Sequence, residues 1–325
     1  MARHLDESKW MKVGSLCTGS GGLDLAVKAF WPEAEFIWFA ENDKDCTKVL
    51  AHHWPNVPNL GDLTKIDWHQ VERPDLLVGG YPCQPYSVAG SRLGDSDERA
   101  IFSYIADACR VLSPGRLFFE NVSGHTSLGG PSVIGAITGL GYDCRWGVVS
   151  AAEAKAPHLR RRWFLVAHFP DACGERYGKR EIGRGVGLLD SRDEGEARQR
   201  QRARQEFVNR GAAPAAHADS PGRGEQCGSV PVEPEQRPAE RGRSETQWQQ
   251  FTPAIERWER TIGRPAPAPT DDGKLSSRFV EWMMGLPDGH VCGVGLTRTA
   301  ELKMLGNAVV PAQAHLALEL LHHDT

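Results

Sequence analysis

The feature that most constrains the fold is an alternation of short apolar runs with helical apolar stripes between residues 11 and 169. Runs such as 36–40 and 75–80 have the length of buried strands. Between them, apolar residues recur at i, i+3, i+4 and i+7, for example on 23–30, which marks one face of a helix. Strands that alternate with helices build parallel β–α–β units, so the sequence predicts an α/β fold.

The second half of the chain has a different character. Residues 171–272 are rich in Arg, Glu, Gln, Gly and Pro and show weak apolar periodicity, so much of this segment is predicted to be loop or disordered. The Pro-rich stretch 264–269 reads as an extended linker. Strands are predicted at 12–17, 36–40, 75–80, 117–119, 142–150 and 163–169, and helices at 23–30, 43–53, 101–112, 133–140, 278–286 and 311–321.

Charge and cysteine content exclude several classes of protein. A formal net charge of -4 argues against a uniformly basic nucleic-acid coat, although it permits a local basic cleft. The 8 cysteines include no CxxC pair, so no metal site is predicted. No apolar run approaches the ~18–20 residues of a membrane span, and residues 1–10 lack the core of a signal peptide. The sequence therefore predicts a cytoplasmic protein with no membrane partner.

A glycine-rich turn follows the first predicted strand and opens the first predicted helix. Glycines at 19, 21 and 22 would let the backbone approach a ligand, and the helix N-terminus offers free N–H groups, but such a turn alone is equally often only a tight turn. Glu41 and Asp62 stand at the next expected strand ends, where acids bind ribose hydroxyls or an adenine amino group. Together they predict a nucleoside-containing cofactor. The spacing is not the full G-x-G-x-x-G of NAD enzymes, because Gly22 directly follows Gly21.

Four further segments carry groups with chemical potential. Cys83 lies in a Gly- and Pro-bounded loop after a predicted strand, which would place it at the ligand edge of the sheet. Glu120 ends an apolar strand, where burial would raise its pKa, although a salt-bridged Glu is the commoner reading. Alternation along a strand would put the side chains of Arg160 and Arg162 on one face, although such triplets are usually solvated. The small-residue loop 306–310 precedes the last helix and is unremarkable alone.

In this order, the segments resemble the DNA cytosine-5 methyltransferase family of bacterial and phage type. The resemblance covers 11–169 and 275–323, and its most specific part is Pro-Cys-Gln at 82–84 together with Glu-Asn-Val at 120–122. The other matching segments are Thr-Gly-Ser-Gly-Gly at 18–22, Glu41, Gly-Asp at 61–62, Arg-Arg-Arg at 160–162, the segment 278–288 and Gly-Asn-Ala-Val at 306–309.

The resemblance implies a Rossmann-like S-adenosylmethionine-dependent methyltransferase fold with a second, smaller target-recognition domain. It places the catalytic and cofactor-binding domain at 1–172, completed by 293–325 with its C-terminal helix, and a variable, partly irregular recognition domain at 173–292. Cys83 would be the nucleophile, assisted by Glu120, Arg160 and Arg162. The residues expected to bind S-adenosylmethionine are Cys17, Thr18, Gly19, Ser20, Gly21, Gly22, Glu41, Asn42, Asp62, Leu63, Pro82, Asn307, Ala308 and Val309.

Four positions depart from the family pattern. Cys17 stands where the family often has Phe, so one wall of the cofactor pocket would be reshaped. Asn42 stands where an aromatic residue often stacks on the adenine. His158 replaces the usual Gln before the arginine motif, and Ala308 replaces a common Ser. None of these departures affects Cys83 or Glu120.

The resemblance also implies partners and leaves alternatives. Double-stranded DNA is the expected substrate, the protein is expected to act as a monomer, and a cognate restriction endonuclease is a candidate partner. An RNA cytosine-5 methyltransferase of the same fold is a rival, although the Cys-Gln pair fits the DNA branch better. A catalytically silent DNA-binding protein and a dinucleotide-dependent oxidoreductase are further rivals; the second would leave Pro-Cys-Gln at 82–84 without a role.

Overall fold

A computed structural model of the protein describes residues 11–82, 98–170 and 248–322. Contacts divide the chain into two units, Met1–Ile182 with Pro253–Thr325, and Gly183–Thr252. Nearly all the described residues belong to the first unit. The nucleophile candidate Cys83 and most of the segment 173–292 lie outside the described residues.

A mixed sheet of six strands forms the centre of the described part of the chain. The strands are β1 (Lys12–Leu16), β2 (Glu35–Ala40), β3 (Leu76–Gly80), β4 (Arg116–Val122), β5 (Asp143–Ser150) and β6 (Arg161–His168). Their order across the sheet is β2-β1-β3-β4-β6-β5, and β1 to β4 pair in parallel. Strand β6 is antiparallel to both of its neighbours. The α/β fold predicted from the sequence is confirmed.

Helices cover both faces of this sheet. They are α1 (Gly22–Phe30), α2 (Lys44–His53), α3 (Glu98–Leu112), α4 (His125–Leu128), α5 (Gly130–Gly139), α6 (Thr252–Ile262), α7 (Ser277–Met283), α8 (Arg298–Asn307) and α9 (Pro311–Leu321). Alternating strand residues such as Leu117 and Phe119 pack with α3 and α5 in one apolar core, while Phe118 points to the opposite face and stacks on Phe164. On that face, α1 contacts α9, which itself contacts β5 and β6. Because α9 packs against α1, β5 and β6, the C-terminal helix covers this face of the sheet.

The prediction that residues 171–272 are largely irregular was wrong for the end of that segment. Residues 252–262 form α6, in which Ile255 and Trp258 are buried, and the Trp258 indole N–H donates to the Trp282 carbonyl at 2.9 Å. Strands β7 (Thr270–Asp271) and β8 (Lys274–Leu275) form a short hairpin. Apolar residues do recur at helical spacing in this helix and the residue before it, at positions 251, 254, 255, 258 and 262, so the sequence carried a signal that the surrounding charged residues obscured. No helix in the described ranges is long and apolar enough to cross a membrane.

Candidate active site

A cavity of about 450 Å³ lies at the carboxyl ends of the parallel strands. In an open α/β sheet, ligands bind at this edge. The predicted site residues that line the cavity are Cys17, Thr18, Gly19, Ser20, Gly22, Glu41, Asn42, Asp62, Leu63, Pro82, Glu120, Arg162, Asn307, Ala308 and Val309. Gly21 and Arg160 lie nearby without lining it. One cavity therefore gathers residues that are as much as 292 positions apart in the chain, from Cys17 to Val309.

The glycine turn forms the floor of the cavity and requires glycine at particular positions. Gly19 and Gly21 have φ of 59° and 79°, in the left-handed region that other residues rarely adopt, and Gly21 is the residue before α1. At Gly22, a Cβ atom would lie 2.5 Å from the backbone oxygen of Val309. The missing side chain thus allows the start of α1 to pack against the loop that precedes α9.

Glu41 is buried at the end of β2 and fixed by backbone donors. Its Oε2 accepts from the Gly19 N–H at 2.8 Å, and its Oε1 accepts from the Asp43 N–H at 2.7 Å. A carboxylate has about four acceptor positions, so two remain for ligand hydroxyls. Glu41 therefore connects the glycine turn to the second strand end in an orientation suited to a ribose.

Asp62 lies in the cavity wall beyond β2 and begins a short turn. Its Oδ1 accepts from the N–H and the hydroxyl of Thr64, at 3.1 and 2.8 Å, and its Oδ2 lies 2.9 Å from Nζ of Lys65. Hydrogen bonds from Lys65 and Thr64 lower the pKa of Asp62 to about 2. The side chain is therefore a fixed, ionised acceptor at neutral pH.

Carboxyl groups outnumber cationic side chains in the cavity lining, although burial raises the pKa of Asp24 and of Glu120 to about 7 and leaves these two only partly ionised near neutral pH. Its carboxylates are Asp24, Glu41, Asp43, Asp45, Asp62 and Glu120, and its cationic side chains are Arg162 and Lys303. Like charges raise the free energy of an anion in such a cleft, whereas a cation is attracted. This cavity thus suits a positively charged ligand better than one that carries phosphates.

Asp24 and Ser20 are cavity residues with unsatisfied polar groups. Asp24 is fully buried in the first turn of α1, and neither carboxylate oxygen has a hydrogen bond of good geometry among the described residues. Burial raises the pKa of Asp24 to about 7, partly offset by the nearby hydroxyl of Ser15. Ser20 Oγ is also buried without a partner in the described ranges. Ser20 was among the predicted site residues, whereas Asp24 was not. A charged residue inside the apolar stripe of 23–30 is the sequence feature that could have indicated it.

Glu120 and Arg162 form a largely buried ion pair on the cavity wall. Arg162 Nε lies 2.8 Å from Glu120 Oε1, and the two side chains are 16% and 9% exposed. Burial raises the pKa of Glu120 to about 7, although Arg162 and Arg160 oppose this rise. A Cβ atom at Gly80 would lie 3.5 Å from Glu120 Oε2, so the carboxyl group adjoins the strand end that leads to Cys83. The structure thus combines the salt bridge that is the commoner reading for such a Glu with the burial that raises its pKa, and near pH 7 the group can carry or release a proton.

Arg160 connects the arginine motif to the C-terminal end of α8. Its Nη2 donates to the carbonyls of Gly306 and Ala308, at 3.1 and 2.6 Å, while its Nε has no partner among the described residues. Burial and the charge of Arg162 lower the pKa of Arg160 to about 10. These contacts give Arg160 an anchoring position behind the cavity wall. Its predicted part in orienting a substrate base stays a prediction.

The segment that follows α7 also supports the glycine turn. His290 Nε2 forms a 2.6 Å hydrogen bond with the carbonyl of Ser20, and its ring stacks on that of His53 with centroids 4.1 Å apart. Burial lowers the pKa of His290 to about 4, so the ring is neutral and donates this bond. His290 was not among the predicted site residues. The predicted boundaries place it in the second domain, and those boundaries stay a prediction. The contact with Ser20 spans 270 positions and has no local sequence signal.

The five described cysteines are held as thiols. Burial raises the pKa of Cys17 to about 12, of Cys144 to about 11 and of Cys292 to about 12, and it also raises the pKa values of Cys46 and Cys109. A cysteine acts as a nucleophile in its thiolate form, so these five are poor candidates. The remaining cysteines, Cys83, Cys173 and Cys227, lie outside the described residues.

Comparisons with known proteins point to one family. The sequence profile of a family described as C-5 cytosine-specific DNA methylase matches residues 11–321. The chain is 38% identical over 125 residues to a DNA N-6-adenine-methyltransferase of Escherichia phage P1, a match that covers 34% of this chain and 16% of that protein. It is 37% identical over 169 residues to the type II methyltransferase M.NaeI of Lentzea aerocolonigenes, covering 48% and 40%.

A solved structure supports the same fold. The chain superimposes on the S. pombe Dnmt2 methyltransferase with a TM-score of 0.57 at 17% identity, covering 96% of this chain and 100% of that one. At this identity the likeness concerns the fold alone, and it agrees with the Rossmann-like methyltransferase fold predicted from the sequence. The matched segment spans less than half the length of the curated relatives.

Proposed function

Because the chain belongs to the C-5 cytosine-specific DNA methylase family, we propose that it transfers a methyl group from S-adenosylmethionine to C5 of cytosine in DNA. The observation that carries this proposal is the buried Glu120–Arg162 pair on the wall of a negatively charged cavity at the strand ends. Pro82 lines the same cavity and directly precedes Cys83 in the chain. A proton-holding acid and a cation-binding pocket thereby meet at one edge of the sheet, and Pro82 at that edge is followed in the sequence by the candidate thiol.

The cavity fits S-adenosylmethionine better than a dinucleotide. Glu41 retains two acceptor positions for ribose hydroxyls, and Asp62 is an ionised acceptor suited to an adenine amino group. The excess of carboxylates favours a sulfonium cation and opposes the pyrophosphate of NAD. When bound, S-adenosylmethionine supplies the methyl group as an electrophile.

The chain's own residues would activate the cytosine. The thiolate of Cys83 adds to C6 of the ring, which makes C5 nucleophilic, and Glu120 holds a proton at N3 so that the adduct is stabilised. Arg162 fixes the orientation of Glu120 through its 2.8 Å contact. After methylation, a base removes the C5 proton and the thiolate leaves C6. The target base must leave the duplex for this chemistry, at a cost of a few kcal/mol.

The first test concerns the cofactor. We expect Asp62→Ala to weaken the binding of S-adenosylmethionine about tenfold, since a hydrogen bond to a charged group is worth roughly 1.5–3 kcal/mol. Asp67→Ala is a matched control, because Asp67 begins the next short turn in the same way, with its side chain accepting from His69 N–H, and does not line the cavity. Calorimetric titration of both variants measures the effect. Equal affinity in the two variants, or binding of NAD by the parent protein, would contradict the cofactor assignment.

The second test concerns DNA sequence recognition. We propose that the target-recognition domain occupies the region between 173 and 292, with 183–252 at its centre, because 253–325 belongs to the first unit. Replacing 183–252 with the variable segment of another family member should change the methylated sequence and leave the chemistry intact. Bisulfite sequencing reads the methylated sites. An active chimera that keeps the original site would place recognition elsewhere.

Action as a monomer, a cognate restriction endonuclease and a cytoplasmic location stay predictions. The order of the site residues along the chain is compatible with each of these three predictions and requires none of them.

A further inference from the structure

Tyr81 lies between the end of β3 and the proline that precedes Cys83, and its ring is buried. The ring contacts those of Phe102 and Phe119, with centroids 5.5 and 6.3 Å apart. At its far end, the Tyr81 hydroxyl lies 2.8 Å from Nε2 of His125. The Tyr81 side chain thus extends from the end of β3 to α4, which follows β4.

The backbone of Tyr81 is held by a residue of β4. Asn121 Nδ2 donates to the Tyr81 carbonyl at 3.3 Å, and the preceding Gly80 is in register with Glu120 across β3 and β4. Tyr81 is therefore attached at its carbonyl and at its hydroxyl to residues that flank Glu120. These two attachments limit both translation and rotation of the residue two positions before Cys83.

His125 is built into this position by its surroundings. It is 5% exposed, and its ring lies edge-on to Trp163 at 4.9 Å. Two glycines make room for it, since a Cβ atom at Gly129 would lie 2.7 Å from its Cε1 and one at Gly130 would lie 2.7 Å from its carbonyl oxygen. Burial lowers the pKa of His125, which favours a neutral ring that accepts from the Tyr81 hydroxyl.

We infer that the Tyr81–His125 hydrogen bond fixes the chain that leads to Cys83 relative to Glu120, so that Tyr81 and His125 are positioning residues for attack on C6. This inference rests on the proposed function. A nucleophile and an acid must hold their mutual geometry closely, and a misplacement of about 1 Å can slow a reaction about 100-fold. Tyr81 lines the cavity, but its hydrogen bond runs to His125, which does not, so the bond can supply such control from behind the cavity wall.

Tyr81→Phe tests the inference, because it removes one hydroxyl and keeps the packed ring. We expect kcat and the rate of covalent trapping on 5-fluorocytosine DNA to fall about 5- to 10-fold, with KM for DNA and S-adenosylmethionine unchanged. His125→Phe should cause the same loss, and the double variant should lose no more than either single one, because both remove one shared interaction. His125→Gln keeps an acceptor and should recover most of the trapping rate.

Tyr142→Phe is the matched control. Tyr142 is equally buried in the same apolar core, and its hydroxyl donates to the Pro114 carbonyl at 2.7 Å, remote from the cavity. It should lower Tm about as much as Tyr81→Phe and leave trapping at the parent rate. Equal trapping rates in Tyr81→Phe and the parent would overturn the inference and leave the proposed function standing. A parent protein that forms no adduct would overturn both.

Discussion

Cys83→Ala should abolish methylation of DNA, with a loss of at least 1000-fold in kcat. Without the sulfur, no nucleophile adds to C6 and C5 stays unreactive. The described thiols do not replace it, because burial holds their pKa values above the usual ~8.5. Affinity for duplex DNA should persist, since phosphate contacts and extrusion of the base do not require the thiol.

Covalent trapping measures this prediction directly. Duplex DNA of several hundred base pairs, with 5-fluorocytosine at every cytosine of one strand, contains the target site whatever its sequence. Fluorine cannot leave as a cation, so the final elimination stops with the protein bonded to C6. Peptide mapping should locate the crosslink on Cys83. Cys144→Ala is the control, since Cys144 is a described thiol whose pKa burial raises to about 11, does not line the cavity and should trap like the parent. A crosslink on any other cysteine would refute the assignment.

Glu120→Gln should lower kcat about 100-fold and change the pH profile. General acid–base groups contribute roughly 10²–10⁴ in rate, and the amide retains shape but holds no transferable proton. Burial raises the pKa of Glu120 to about 7, so the acid is progressively lost as the pH rises above that value. In the parent, kcat/KM should therefore descend on the alkaline side. In the variant this descent should vanish, and activity should follow the thiolate fraction alone.

Glu301→Gln provides the control for the loss of a buried carboxylate. Glu301 is buried, accepts a hydrogen bond from the Ser277 hydroxyl and does not line the cavity. It should lower Tm and leave the shape of the pH profile unchanged. A Glu120→Gln profile that retains the alkaline descent would show that another group carries the proton.

The fold was largely predictable because its strands are short, apolar and well separated. Buried apolar runs as short as 36–40 and 75–80 have few alternatives to a strand. In the structure, β2 and β3 lie on these two runs. The failure at α6 has a physical cause. Its buried face consists of few apolar residues, chiefly Ile255 and Trp258, which gain their partners from distant α7. The spacing of Ile255, Trp258 and Ile262 does fit one face of a helix, but spacing alone does not show what that face packs against.

Site residues were predictable where the order of motifs along the chain indicated them. Contacts between residues that are distant in the sequence were not predictable. Glu41 follows β2 and Glu120 lies in β4, so both could be assigned from their strands; the strand expected before Asp62 is reduced to an isolated bridge between Phe39 and Asn59. The contact of Arg160 with residues 306–308, the contact of His290 with Ser20 and the pairing of Tyr81 with His125 could not. Each joins a side chain to a residue that is distant in the sequence, and a single sequence shows which residues are present without showing which of them are in contact.

The central claim is that this protein methylates C5 of cytosine in DNA. It is tested most directly by incubating the protein with mixed-sequence duplex DNA and methyl-labelled S-adenosylmethionine, then digesting the DNA and identifying the labelled nucleoside by mass spectrometry. A parallel reaction with structured RNA separates the two nucleic acids. The account predicts label in 5-methyl-2′-deoxycytidine from the DNA. Label in a methylated adenine, or label only in the RNA, would contradict it. The absence of any label, with S-adenosylmethionine verified as intact, would also contradict it.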